Sequence, residues 1–281
     1  MSTVIHVGLM KTGSTFLQTR VFPYLQGVTY VHGMESFYRG RFFSFGELAP
    51  LLISNEGLTG SWFKDGEYGL DYFERFQYSI KNIRRYFNQP KLIVVFREPS
   101  SFIYSSYKQS LHERGTLRWE QFFPFETLST EELAQFNFSR FINILLENFR
   151  KRDLLLLNYD ELTESPESFV ELIKRFCLTT EGYEINKGIS FPIHERSNAA
   201  VPTEYEDLLI LNNKLSNFTR DKFGFSLQIQ FGRYELSMKT LAQVFLPRLK
   251  KSKKPENLNT IKAYYQQDWE KTAALIKDLR Q

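Results

Sequence analysis

The sequence predicts a three-layer α/β/α fold built on a central, mainly parallel sheet, with a helical C-terminal region. Two observations carry this. Five short runs, Thr3–Val7, Val28–Val31, Leu51–Ser54, Lys91–Phe96 and Leu154–Leu157, are apolar along their length instead of alternating, as strands covered on both faces are. Longer segments of helical period lie between them, which calls for right-handed βαβ crossovers.

The elements follow in chain order. Thr3–Val7 is β-branched and ends at Gly8, where a Gly/Ser/Thr-rich turn begins. Thr15–Tyr24 puts Phe16, Leu17, Val21 and Leu25 on one helical face, disturbed by Pro23. Helical period returns over Tyr72–Phe87, Ser100–His112 and Ser139–Lys151. Ser165 and Pro166 open a helix running to Phe176, the residues Ile185–Pro202 form a loop, and Leu258–Leu279 is amphipathic. We expect one domain over residues 1–281, with 1–203 as the α/β core and 204–281 as a helical extension without recognisable chemistry. In such a fold a ligand is expected at the carboxyl ends of the strands.

Composition narrows the function classes. The 36 Lys and Arg residues against 32 Asp and Glu give a net charge of +4, which suits a polyanionic ligand but is too small and too evenly spread for nucleic acid. One local concentration, Pro247–Lys254, is a solvated loop or a surface for an acidic acceptor or a membrane. The 27 Phe and 15 Tyr residues build a core or line an acceptor pocket. The single cysteine, Cys177, lies on a helical apolar face and reads as a packed thiol. No basic leader or apolar run of membrane-spanning length is visible, so a cytoplasmic protein is expected.

The chemistry is concentrated in two strand–turn–helix segments. The first is Gly8–Thr15, GLMKTGST. After a strand and before a helix, its glycines let the backbone curl so that N–H groups face an anion, with hydroxyls from Ser14 and Thr15 in support. The frame is that of a Walker A loop, G-x-x-x-x-G-[K]-[ST], with the lysine missing from its usual place and Lys11 standing two residues before Gly13. That displacement disfavours a P-loop kinase of small molecules. The second segment is Lys91–Tyr107, where Arg97 follows the strand and Ser105 lies eight residues on, about two helical turns away. An arginine fork and a hydroxyl can converge on one phosphate from there.

Together these residues resemble the sulfotransferases that use 3′-phosphoadenosine 5′-phosphosulfate (PAPS) and release PAP. Lys11-Thr12-Gly13-Ser14-Thr15 is similar to that family's 5′-phosphosulfate loop, K-x-G-[ST]-[ST]. Arg97, Pro99, Ser105 and Tyr107 are similar to its 3′-phosphate motif, R-x-P-x(5)-S followed by an aromatic. Asn158–Glu167 resembles a later structural segment, and Arg196 and Asn198 are candidates for the loop over the nucleotide, or simply a surface loop. The resemblance spans residues 3–198. It implies a P-loop NTPase-like sulfotransferase fold in which Lys11, Thr12, Gly13, Ser14, Thr15, Arg97, Ser105, Arg196 and Asn198 hold PAPS and no metal is required. It also implies sulfuryl transfer to a hydroxyl or amine on a small metabolite or saccharide. The reaction needs a general base. Glu56, just beyond Leu51–Ser54, and His112, at the end of the Arg97–Ser105 helix, are the two candidates. His6 reads as a core residue or one just behind the site. A catalytically inactive nucleotide-binding module of the same fold is the other alternative.

Overall fold

A computed structural model of the chain describes residues 3–32, 50–59, 63–64, 67–68, 72–180, 206–223 and 254–280. Five parallel strands form the sheet: β1 (Thr3–Val7), β2 (Thr29–His32), β3 (Leu51–Asn55), β6 (Lys91–Phe96) and β7 (Leu154–Asn158), in the order β2-β3-β1-β6-β7. Two further strands of two residues each, β4 (Phe63–Lys64) and β5 (Glu67–Tyr68), pair antiparallel as a separate sheet.

The continuous apolar runs divide by strand period into two cores. Val4, Leu52, Ile93, Val95, Leu155 and Leu157 face one side, where they meet Leu17, Val21 and Phe22 of the first helical segment and Leu162, Phe169, Val170, Ile173 and Cys177. Ile5, Val7, Leu51, Ile53, Leu92, Val94, Phe96, Leu154 and Leu156 face the other. There they meet the helices Tyr72–Tyr86, Pro99–His112, Phe138–Asn148 and Leu258–Asp278. Alternation along each strand thus fills both layers, as expected of a sheet buried on both sides. The predicted α/β/α architecture is the one observed.

The phenylalanines largely answer the question of their use. Phe76 and Phe141 pack at 4.6 Å between ring centroids, and Phe102 meets Phe138 edge-on at 5.5 Å, both on the second face. Cys177 is buried, and burial pushes its thiol up to about 12, as the packed-thiol reading requires. The C-terminal helix joins the same core. Its Ile261, Tyr265 and Ile276 are buried, Tyr265 Oη donates to the Leu133 carbonyl at 2.8 Å, and Asp268 accepts from Ser139 N and Oγ at the start of the Phe138–Asn148 helix.

Some local structure departs from the sequence reading. The first helical segment is α only over Ser14–Phe16, widens to a π turn over Leu17–Val21 and tightens to a 3₁₀ turn over Phe22–Tyr24, where Pro23 sits. The short helices Trp119–Phe122, Thr130–Ala134 and Tyr159–Glu164 were not visible as periodic segments, being under two turns long. The Ile185–Pro202 loop lies outside the described residues.

The topology places a crevice. The chain leaving β1 turns to one face, whereas the chains leaving its neighbours β3 and β6 turn to the other. Adjacent strands with diverging connections leave an opening at their carboxyl ends. The loop after β1 sits there, flanked by the residues that follow β3 and β6.

Candidate functional site

Register fixes the neighbours. β1 and β3 pair through Val7↔Asn55, so the next residues, Gly8 and Glu56, stand side by side. A Cβ on Gly8 would lie 3.0 Å from Glu56 Cγ and 2.9 Å from Ser14 Oγ, and only glycine leaves that room. Likewise β6 and β7 pair through Phe96↔Asn158, and one step on the Arg97 guanidinium lies over the Tyr159 ring, 4.4 Å from its centroid.

The loop after β1 is held from inside and outside. Thr12 is fully buried and its hydroxyl donates to the Leu9 carbonyl at 2.6 Å, closing the bend; what Thr12 can offer a ligand is its backbone N–H. Gly13 has φ +88°, and a Cβ there would meet Leu162 Cδ2 at 2.7 Å and the Tyr159 ring at 3.3 Å. Lys11 itself adopts φ +61°, a left-handed conformation that a side chain disfavours. Ser14 Oγ is buried without a hydrogen-bond partner, an orphan hydroxyl beside the bend, and Thr15 is exposed.

Lys11 faces across the crevice. Its Nζ donates to Gln109 Oε1 at 3.1 Å. Burial lowers its pKa, Glu56 and Glu113 raise it, and Arg97 lowers it. Glu56, half-buried, shows the reverse: burial raises its pKa, while the Ser14 hydroxyl and the charges of Lys11 and His32 pull it down. The Ser14 hydroxyl stands close to this carboxylate but short of hydrogen-bond geometry.

Arg97 ties the two segments together. Its Nη1 donates to the Lys11 carbonyl at 2.9 Å and its Nε to Ser101 Oγ at 3.0 Å. Burial lowers its pKa, against the raising influence of Tyr159, Asp160 and Glu98, and a guanidinium stays charged regardless. Glu98 is not its ion-pair partner. That carboxylate caps the following helix, accepting from Ser100 N and Ser101 N at 2.9 Å each, with Pro99 at the first helical position.

Along the Pro99–His112 helix, Ser101, Ser105 and Gln109 recur every four residues on one face. Ser101 touches Arg97 and Gln109 touches Lys11, so the half-buried Ser105 lies one turn from each, between the two cations. His112 is exposed at the helix end, one turn beyond Gln109. His6 is fully buried in β1, accepts or donates at Nδ1 with Ser54 Oγ at 2.8 Å and packs on Phe22; burial holds its pKa down at about 3, so it is a neutral core residue. Arg196 and Asn198 lie outside the described residues.

The structure therefore brings Gly8, Lys11, Gly13, Ser14, Glu56, Arg97 and Ser105 to one crevice. It adds three residues that sequence reading passed over: Ser101, Gln109 and Tyr159. Two of them were findable, since Ser101 and Gln109 fall on the helical face defined by Ser105. No helix among the described residues is long and apolar enough to cross a membrane.

No protein-family model matches the chain, and no curated protein matches it by sequence. Among solved structures it is similar to a sulfotransferase from Alicyclobacillus acidocaldarius, with 12% identity, a TM-score of 0.47, and coverage of 80% of this chain and 93% of that one. It is also similar to mouse sulfotransferase SULT7A1 complexed with PAP, with 12% identity, a TM-score of 0.40, and coverage of 94% and 89% respectively.

Proposed function

We propose that the chain transfers a sulfuryl group from PAPS to a hydroxyl or amine acceptor. The observation that carries this reading is the bond from Arg97 Nη1 to the Lys11 carbonyl, which sets two cationic side chains at neighbouring strand ends. A donor with phosphate at both the 3′ and 5′ positions of one adenosine offers an anion to each. Gly8 and Gly13 leave a backbone cradle, and the orphan hydroxyl of Ser14 is the kind of group a bound phosphate oxygen would satisfy.

In this reading Arg97 and Ser105 hold the 3′-phosphate, and the N–H groups of Lys11–Thr15 with Ser14 hold the 5′-phosphate. Glu56 takes the proton from the acceptor hydroxyl as its oxygen bonds to sulfur. The bond from sulfur to the 5′-phosphate oxygen breaks, that oxygen keeps the electron pair, and Lys11 stabilises the charge it gains. Glu56 stands beside Lys11 and its burial raises its pKa toward the range a base needs, whereas His112 is exposed further along the helix. A saccharide or small hydroxylated metabolite is the acceptor class this glutamate base suits.

Isothermal titration with PAP and with ADP, both in EDTA, tests the donor. PAP is expected to bind more tightly because Arg97 and Ser105 reward the 3′-phosphate; equal or tighter binding of ADP would remove the reading and return a nucleoside-triphosphate enzyme to consideration. Glu56→Gln is expected to keep PAP affinity and lose turnover, and full activity in that variant would hand the base to His112.

A further inference from the structure

The Lys11 side chain is gripped from the same helix whose start holds Arg97. Nζ donates to Gln109 Oε1 at 3.1 Å, and Gln109 is in turn oriented by its own donation from Nε2 to Glu113 Oε1 at 2.7 Å. A glutamine amide placed this way cannot flip without putting its NH₂ group against the ammonium and its carbonyl against the carboxylate, so the two bonds fix each other. With the Lys11 carbonyl held by Arg97, the segment from Arg97 to Glu113 fixes this lysine at both ends.

We infer that Gln109, backed by Glu113, is a positioning residue that holds the Lys11 ammonium over the crevice, so that the helix binding one end of the donor also sets the group acting at the other. The inference rests on the sulfuryl-transfer reading for its purpose and on the geometry for its contact. Gln109 does not itself touch the reacting atoms. It acts through Lys11, whose charge several groups contest: Glu56 beyond β3, Arg97 beyond β6 and Glu113 at the helix end all face it. Glu113 is exposed, so its influence is screened and smaller than that of the direct hydrogen bond.

The test reads the lysine and not the turnover. Competitive acetylation with acetic anhydride across pH, followed by mass spectrometry of the Lys11 peptide, gives the titration midpoint of this one amine in the full chain. Removing the acceptor in Gln109→Ala is expected to move the midpoint down by about half a pH unit or more, because the charged form loses a bond. Gln109→Glu puts a carboxylate at the same reach and is expected to move it up. Glu113→Gln keeps an acceptor for the amide but removes the charge, so a smaller downward movement is expected. Opposite movements in the two Gln109 variants cannot come from misfolding. Midpoints that coincide with the wild type in both Gln109 variants would overturn the inference. Calorimetry of PAP binding to the wild type is run beside it; absent binding there overturns the transfer reading, and with it the purpose of the contact, while leaving the contact itself measured.

Discussion

The segments after β1 and after β6 reach the same end of the sheet with opposite materials. The first is a backbone device: Gly8 and Gly13 are where neighbouring residues press in, Lys11 takes a left-handed φ, and Thr12 spends its hydroxyl closing the bend. The second is a side-chain device on ordinary helix geometry, with Glu98 capping and Arg97, Ser101, Ser105 and Gln109 projecting into the crevice. The first fails through strain and the second through lost contacts. Substitutions should therefore separate stability from binding when applied to one segment or the other.

The largest effect is expected at Lys11, which belongs to the backbone device but acts through its side chain. Lys11→Ala should lower turnover by about 10²–10³-fold, the usual cost of removing one donor to developing negative charge. PAP affinity should change only modestly because the loop N–H groups persist. Single-turnover sulfuryl transfer with calorimetry on the same sample checks both. A loss confined to affinity would make Lys11 a ground-state ligand and break the proposed division of roles.

Gly13→Ala comes next and should register in stability. The new Cβ would meet Leu162 at 2.7 Å on a backbone at φ +88°, so a loss of about 2–3 kcal/mol is expected in denaturant melts. A variant as stable as the wild type would show that the bend is not under the pressure described. Arg97→Ala, in contrast, should cost about 10–100-fold in PAP affinity through the lost charged bonds and leave ADP affinity far less changed. It also releases the Lys11 carbonyl, so some of the loss should reach turnover at saturating donor. Equal loss toward PAP and ADP would place Arg97 away from the 3′-phosphate.

The same contrast explains what was legible in the sequence. The bend after β1 could be read because its requirements are local: a strand, two glycines and hydroxyls within eight residues. Arg97 and Ser105 could be read as a spacing. The contacts that complete them could not, because they come from register. Tyr159 under Arg97 follows from β6 pairing with β7; Glu56 could be read as a carboxylate just beyond a strand, but its place against Gly8 follows from β1 pairing with β3. Sheet order, not local pattern, decides which strand ends meet. The short helices between Trp119 and Ala134 were missed for a related reason, since the packing of Trp119 against Tyr104 and Tyr107, and of Phe123 just beyond its helix against Phe136, is tertiary and leaves no period to detect.

Glu56 should give the smallest effect on stability and the clearest sign. Its folded pKa is raised, chiefly by burial, so between the ordinary carboxyl range and that raised value the folded chain binds more protons than the unfolded one. Stability contributed by the protonated group is then complete below the ordinary pKa and falls as pH rises through the folded value. Glu56→Gln, which cannot ionise, escapes that fall. Thermal melts should find the variant slightly more stable than the wild type near neutrality, with the difference closing as pH drops below the ordinary carboxyl range. The gain is limited because Lys11 loses a nearby opposite charge in the variant. A variant less stable at every pH would mean that the attraction of Lys11 and the nearby Ser14 hydroxyl for the Glu56 carboxylate outweighs its burial. A carboxylate that costs stability where it stands, beside Lys11, would have the physical profile of a residue kept for chemistry, the role proposed for Glu56.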